Sequence, residues 1–264
     1  MTYPDDRQAV PRLRDLGESI GIRIDNPTLV GIQGNTLGIR SQTALWSART
    51  DSRTYFQQDQ DFGISRRRGH FDGSADELLE AAQPILDRLG IPSEERINTR
   101  VITEQTRAAR FDPDTNSVDL EPSEDGIRYA EITRAIEAIP IWHSKALIAL
   151  AADGTPGFLH VHWPELPDEV IGEAAGFAEA IRADWTPPPV QAAVAESSEA
   201  GVLHSLAVGF IMEAVAAVRV VYTADDARVG RKPVRYVTAA GEDVRQPRDH
   251  LWDLDAVRTP ARRA

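Results

Sequence analysis

The chain has 264 residues, no cysteine and a formal net charge of −12 at pH 7. This length allows one large domain or two compact lobes with a substantial buried core. The lack of cysteine excludes disulfides, thiolate metal sites and a cysteine nucleophile. The acidic balance argues against nucleic acid as a partner, because phosphate contacts require basic groups.

The N-terminal residues are polar and lack the apolar h-region of a signal peptide. No apolar stretch reaches the ~18 residues of a membrane-spanning helix, so we expect no membrane insertion. These features predict a cytoplasmic protein, unless a signal peptide has been removed. The strong excess of arginine over lysine suggests a GC-rich, bacterial genome.

Residues 1–27 hold a short amphipathic helical pattern and are interpreted as a lead-in to the fold. A β-rich segment follows, in which the Gly34-Asn35 turn predicts a first hairpin. Ala44–Trp46 and Thr54–Phe56 predict a second strand pair.

The clearest helix covers residues 74–89. Ser74 is a suitable N-cap, Glu77 completes a capping box, and Gly90 suits the left-handed residue after the helix. The helix and the surrounding strands form a predicted first lobe, residues 28–166.

A second helix is predicted over residues 167–184, with Pro167 in its first turn and acidic residues after it. Further strands follow it, although the composition of Ser205–Val215 is compatible with a helix. These elements form a predicted second lobe, residues 167–245, before a charged tail over residues 246–264. The predicted fold class is therefore α+β, with two lobes that each place a helix on an antiparallel sheet.

Short motifs support a family resemblance over residues 28–245. The segment Ile139-Pro140-Ile141-Trp142-His143-Ser144-Lys145-Ala146, followed by Asp153-Gly154, resembles the "GIPV-x-G-x, strand, dG, strand" passage of the fungalysin/thermolysin propeptide (FTP) family. Tyr236–Val244 resembles the "vdA-tGev" ending of PepSY domains, and Ala75–Gly90 is similar to the helix before each meander in that group. Ala138 and Ala239 depart from the usual glycine and aspartate.

The resemblance to the PepSY/FTP-like superfamily implies a non-catalytic module that folds against, inhibits or regulates a partner protein. It supplies no catalytic residues and no cofactor. Our first hypothesis is accordingly a non-enzymatic binding or regulatory protein, without a cofactor, that docks a partner chain or small-molecule ligand on its sheet face. Strand addition at a sheet edge is one way to bind such a chain.

The alternative is an enzyme that uses a His-x-His strand. His160 and His162 share one face of a predicted strand with Cβ atoms about 6–7 Å apart, a spacing that two ligands of one metal can use. Glu165 completes a two-histidine, one-carboxylate set for a divalent transition metal, and His143 on the preceding strand is a third candidate histidine. These four residues are the candidates for metal-assisted or general acid/base catalysis. The competing interpretation places both histidines on the face opposite Leu159, Val161 and Trp163 with no catalytic role.

Aromatic residues on predicted strands suggest a ligand-binding groove. Trp142, Trp163 and Tyr236 are the candidate ligand-binding residues, since the helix-free face of such a sheet can accept a ligand or a chain. Ordinary packing is the competing interpretation of each ring. A structural subunit of a larger assembly, including a homo-oligomer, remains a third hypothesis.

Overall fold

The computed structural model describes residues 6–22, 24–33, 36–41, 44–49, 53–59, 69–106, 109–112, 116–120, 122, 124–183, 188, 190–191, 203–210, 214–221 and 234–244. Within these ranges the fold is α+β, as the sequence predicts. The helices are α1 (Asp6–Ser19), α2 (Ala75–Arg88) and α3 (Asp168–Arg182), and a 3₁₀ turn covers Ser93–Glu95.

Eight strands form the main antiparallel sheet, in the order β1-β2-β3-β4-β10-β9-β8-β5. They are β1 (Thr28–Gln33), β2 (Thr36–Arg40), β3 (Ala44–Arg49), β4 (Arg53–Asp59), β5 (Arg96–Thr106), β8 (Glu124–Ile136), β9 (Ile139–Leu150) and β10 (Pro156–Trp163). The strands β6 (Ala109–Asp112) and β7 (Ser117–Leu120) form a separate two-stranded ribbon. A four-stranded sheet contains β11 (Leu203–Phe210), β12 (Ala214–Val221), β13 (Val234–Val237) and β14 (Asp243–Val244).

The chain divides into two compact units, residues 1–133 with 144–165 and residues 134–143 with 166–264. The hairpin formed by the end of β8 and the start of β9 thus belongs to the second unit. The predicted lobes divide the chain near residue 166 and place this hairpin in the first lobe. Their boundaries remain a prediction.

The first unit has a core between one face of the main sheet and the helices α1 and α2. Trp46 is fully buried there and donates its Nε1–H to the carbonyl of Leu13 at 2.7 Å. Gly17 allows this approach, because a Cβ on it would lie 3.0 Å from Cδ1 of Ile24 and 3.3 Å from Nε1 of Trp46. The segment expected to be a lead-in therefore supplies part of the core.

The helix predicted over residues 74–89 is confirmed as α2. Its N-cap is Ser74, whose hydroxyl accepts from the backbone N–H of Glu77, while the Glu77 carboxylate accepts from the Ser74 N–H. The buried side of the helix meets the main sheet. Its members are Leu78, Ala82, Ile85 and Leu86.

The second unit has its own core, in which α3 packs on the four-stranded sheet. Its buried members come from the hairpin, α3 and the sheet: Ile139, Ala174, Phe177, Ala178, Val190, Ala216, Val218 and Val237. The helical interpretation of Ser205–Val215 is wrong, because residues 203–210 form β11 and pair with β12 along their whole length. The small and β-branched side chains of this segment suit a strand once a partner strand is beside it. The predicted tail, residues 246–264, lies outside the described residues.

Candidate binding face of the main sheet

Strand β10 separates two chemical environments by simple alternation. Leu159, Val161 and Trp163 are fully buried in the core under the helices. His160 and His162 therefore project from the opposite side. We call this opposite side of strands β4, β10, β9 and β8 the histidine face.

A chain of aromatic rings crosses the histidine face. The Tyr129 ring on β8 contacts that of Phe158 on β10 edge to face, with centroids 5.5 Å apart. Phe158 makes a second edge-to-face contact with Phe56 on β4 at 5.9 Å. The small Ala149 lies opposite Phe158 on the intervening strand β9 and leaves room for the first contact. All three rings are half-buried, so part of each remains accessible.

A polar row lies beside the aromatic rings. Thr54, His162 and Lys145 are direct cross-strand partners on β4, β10 and β9. Lys145 Nζ is 3.7 Å from Oε1 of Glu131 on β8. Glu131 also accepts a hydrogen bond from Nε of Arg100 on β5 at 2.5 Å. Five neighbouring strands thus contribute one side chain each to this row.

The left-handed backbone of Asn98 explains how Arg100 reaches Glu131. Arg96, at the start of β5, contacts Asp87 of α2 on the core side of the sheet. Strict alternation would place Arg100 on that same side. Asn98 has a φ of 46°, and such an irregularity redirects the side chains that follow it.

His160 is almost completely buried on this face, with 5% of its surface exposed. Its cross-strand partners are the apolar Phe56 and Leu147, and its Nε2 is buried with no hydrogen-bond partner among the described residues. Burial lowers the pKa of His160 to about 4, with smaller contributions from His162 and Lys145. The imidazole is therefore neutral near pH 7.

The four candidate catalytic residues do not form one described site. His162 Nδ1 lies 3.2 Å from the Thr54 hydroxyl, on the same face as His160. Glu165 is 76% exposed and lies 3.6 Å from an Arg53 terminal nitrogen. His143 belongs to the second unit, and its side chain lies outside the described part of the structure. In the described ranges, no group of three or more His, Asp or Glu residues is arranged to hold a metal ion.

The three candidate ligand-binding rings occupy different settings. Trp163 is fully buried in the first core and donates its Nε1–H to Glu95 at 2.7 Å, so its ring contributes to packing. Trp142 and Tyr236 contact each other in the second unit with centroids 5.0 Å apart. Tyr236 is buried and Trp142 half-buried. Ligand binding by these residues stays a prediction.

Sequence reasoning missed most of the histidine face. Phe158 could have been found, because it shares the alternation phase of His160 and His162. Tyr129, Glu131 and Arg100 could not, because their placement depends on strand order.

Among the described residues, no helix is both long and apolar enough to cross a membrane.

Comparison with known proteins gives one weak structural likeness. No family model and no curated protein matches the chain. The Bacillus megaterium YpeB C-terminal domain superposes with a TM-score of 0.37 and 11% sequence identity, covering 92% of this chain and 96% of that domain. A similarity at this level assigns neither a family nor a function.

Proposed function

We propose that this chain is a non-enzymatic binding or regulatory protein that docks a partner chain or ligand on the histidine face. The observation that supports this best is the aromatic row of Tyr129, Phe158 and Phe56, which lies beside the polar row. Half-buried aromatic rings next to arginine and other polar groups are typical of interaction surfaces. The PepSY/FTP resemblance adds to the proposal, and the expected setting is the cytoplasm of a bacterium.

Site-specific cross-linking in cells tests this function. The photoreactive p-benzoylphenylalanine replaces Phe158 in the full-length chain, and products are identified by mass spectrometry. The matched control places the same group at Phe111 on the two-stranded ribbon, a phenylalanine that is 58% exposed. We expect one discrete protein or ligand adduct from position 158 and none from position 111.

A second variant links the adduct to the face itself. Phe56→Gln removes the neighbouring ring, and we expect it to reduce the yield at position 158 while the far-UV spectrum stays unchanged. The absence of a discrete adduct at 158, or the same products from positions 111 and 158, would contradict docking on this face.

The unpartnered Nε2 of His160 favours a second candidate, a metal-assisted or general acid/base enzyme that uses His160 and His162. A neutral imidazole nitrogen is a competent ligand for a divalent transition metal. Elemental analysis of the purified protein would support this candidate if it found stoichiometric metal that His160→Gln and His162→Gln both remove. A metal-free protein would leave metal-assisted chemistry without support.

A further inference from the structure

One buried carboxylate lies between two cations at the edge of the histidine face. The side chain of Glu131 is 7% exposed, and each of its oxygens has a different basic neighbour. Oε2 accepts the Nε–H of Arg100 at 2.5 Å, and Oε1 is 3.7 Å from Nζ of Lys145. Two positive charges and one negative charge leave this cluster with a net charge of +1.

The guanidinium of Arg100 is only partly used by this contact. Glu131 bonds Nε, and the two terminal nitrogens have no hydrogen-bond partner in the part of the chain that the structure describes. The side chain is 69% exposed. A guanidinium held through Nε by a buried acid is pre-organised, so its remaining donors can bind an anion with a smaller loss of side-chain entropy.

We propose that Arg100 and Lys145, positioned by Glu131, bind a carboxylate group of an acidic partner chain. This inference rests on the proposed function and specifies the chemistry that the face recognises. A carboxylate fits for two reasons. Its planar oxygens match the planar donors of arginine. Its single negative charge also balances the net charge of +1 on the cluster, whereas the two negative charges of a phosphate dianion would exceed it.

The neighbouring charges place the anion at the Arg100 end of the face. Burial is the main cause of the raised pKa of Tyr129, and the carboxylate of Glu104, on β5 with Arg100, contributes to it as a negative charge near the aromatic end. His160 is neutral, and His162 faces Lys145 from β10. An acidic segment is therefore expected to direct its carboxylate toward Arg100 and its apolar side chains toward Phe158 and Phe56.

Nitrogen-detected NMR of the arginine Nε–Hε groups tests the inference on the full chain. Sodium acetate is titrated at constant ionic strength against sodium chloride, and inorganic phosphate is titrated in a second arm. The chain offers an internal control, because Arg14 also donates its Nε–H to a carboxylate, that of Glu18 at 2.6 Å, but both partners are about half exposed. We expect a saturable acetate shift at Arg100 and only a linear response at Arg14.

Two variants separate the effect of the planar guanidinium donors from the effect of the positive charge. Arg100→Lys keeps the charge without the planar donors, and we expect acetate to bind about tenfold more weakly. Arg14→Lys should leave the response of Arg100 unchanged. A linear response at Arg100, or equal acetate affinity in Arg100→Lys followed at Lys145, would overturn the anion site. Saturation by phosphate but not acetate would overturn the carboxylate assignment.

Failure of the anion site can be distinguished from failure of the proposed docking function. Saturable acetate binding without a cross-linked adduct at position 158 would retain the anion site and refute docking on the aromatic row. An adduct at 158 without saturable acetate binding would retain docking and refute the anion site.

Discussion

The ring of Phe56 lies 6.3 Å from the imidazole of His160, its direct partner across β4 and β10. On the other side of His160, its partner in β9 is Leu147. An imidazole buried between two apolar residues lacks the water that would stabilise its charged form. This desolvation is the main cause of the low pKa of His160. The pair therefore couples protonation of His160 to the stability of the sheet.

We predict that acid destabilises the protein through His160. Its pKa is about 4 in the folded chain against 6.5 for an ordinary histidine, so between these values the unfolded chain binds more protons. The free energy of unfolding then falls as the pH falls from 6.5 to 4, by about 3 kcal/mol over the full window, at about 1.4 kcal/mol per pKa unit. Urea denaturation at several pH values measures this slope.

The variant His160→Gln isolates this contribution, because glutamine does not titrate. Its stability should depend less steeply on pH than that of the unmodified chain between pH 6.5 and 4.5. His70→Gln is the control, since His70 is exposed, and it should keep the steep slope. Equal slopes for all three proteins would show that His160 is not the responsible group.

A second prediction concerns the backbone of Asn98, which has a φ of 46° within β5. Valine is β-branched and strained in this conformation, so Asn98→Val should destabilise the protein by about 1–2 kcal/mol. It should also shift the Arg100 Nε–Hε resonance, because the path of β5 toward Glu131 changes. Asn98 is exposed, so lost packing contributes little.

Asn98→Gly is the matched variant, because glycine accepts a positive φ. It should stay within about 0.5 kcal/mol of the unmodified protein and retain the Arg100 resonance. If valine and glycine have equal effects, the left-handed backbone does not position Arg100.

Local signals in the sequence predict local structure well in this chain. Ser74 and Glu77 are three residues apart and form the cap that begins α2, so no distant residue is needed to predict it. Alternation in β10 likewise predicts that His160 and His162 share a face. Both inferences depend only on the geometry of one helix or one strand.

The environment of each histidine could not be predicted in this way. His160 is buried because Phe56 and Leu147 are its cross-strand partners, whereas His162 meets Thr54 and Lys145 and stays half-exposed. These partners depend on the pairing of β4 with β10.

 Phe56 and His160 are far apart in the sequence, and the strand order that joins them is a property of the whole sheet.

A third prediction concerns the cap of α2. Ser74→Ala removes the hydroxyl that accepts the Glu77 N–H at 3.2 Å, so we expect a loss of about 1 kcal/mol of stability. The hydrogen bonds with Ser74 also lower the pKa of Glu77, which should therefore rise toward its ordinary value in the variant. Chemical denaturation and an NMR pH titration of Glu77 measure the two effects.

Ser93→Ala serves as the control for the cap. Among the described residues, the hydroxyl of Ser93 hydrogen-bonds only to the neighbouring Glu94 side chain, at 3.4 Å, so its removal should change stability by less than about 0.5 kcal/mol. An equal loss in both variants would mean that the cap of α2 makes no particular contribution.

The last prediction concerns the turn between β8 and β9, where Glu137 and Ala138 have φ values of 49° and 66°. Two successive positive φ angles are typical of a type I′ hairpin turn, which favours asparagine and glycine. Ala138→Gly should therefore stabilise the second unit by about 0.5–1 kcal/mol, because relief of strain exceeds the added entropy of the unfolded chain. Ala138→Ser keeps the Cβ and should not stabilise.

The reciprocal change at Gly90 tests the same physics in the first unit. Gly90 has a φ of 70°, and a Cβ placed on it would meet nothing within 4 Å. Gly90→Ala should therefore cost about 1 kcal/mol from backbone strain alone. If Ala138→Gly stabilises and Gly90→Ala destabilises by similar amounts, backbone conformation accounts for both. If Ala138→Gly instead destabilises, the hairpin does not hold a left-handed residue at this position.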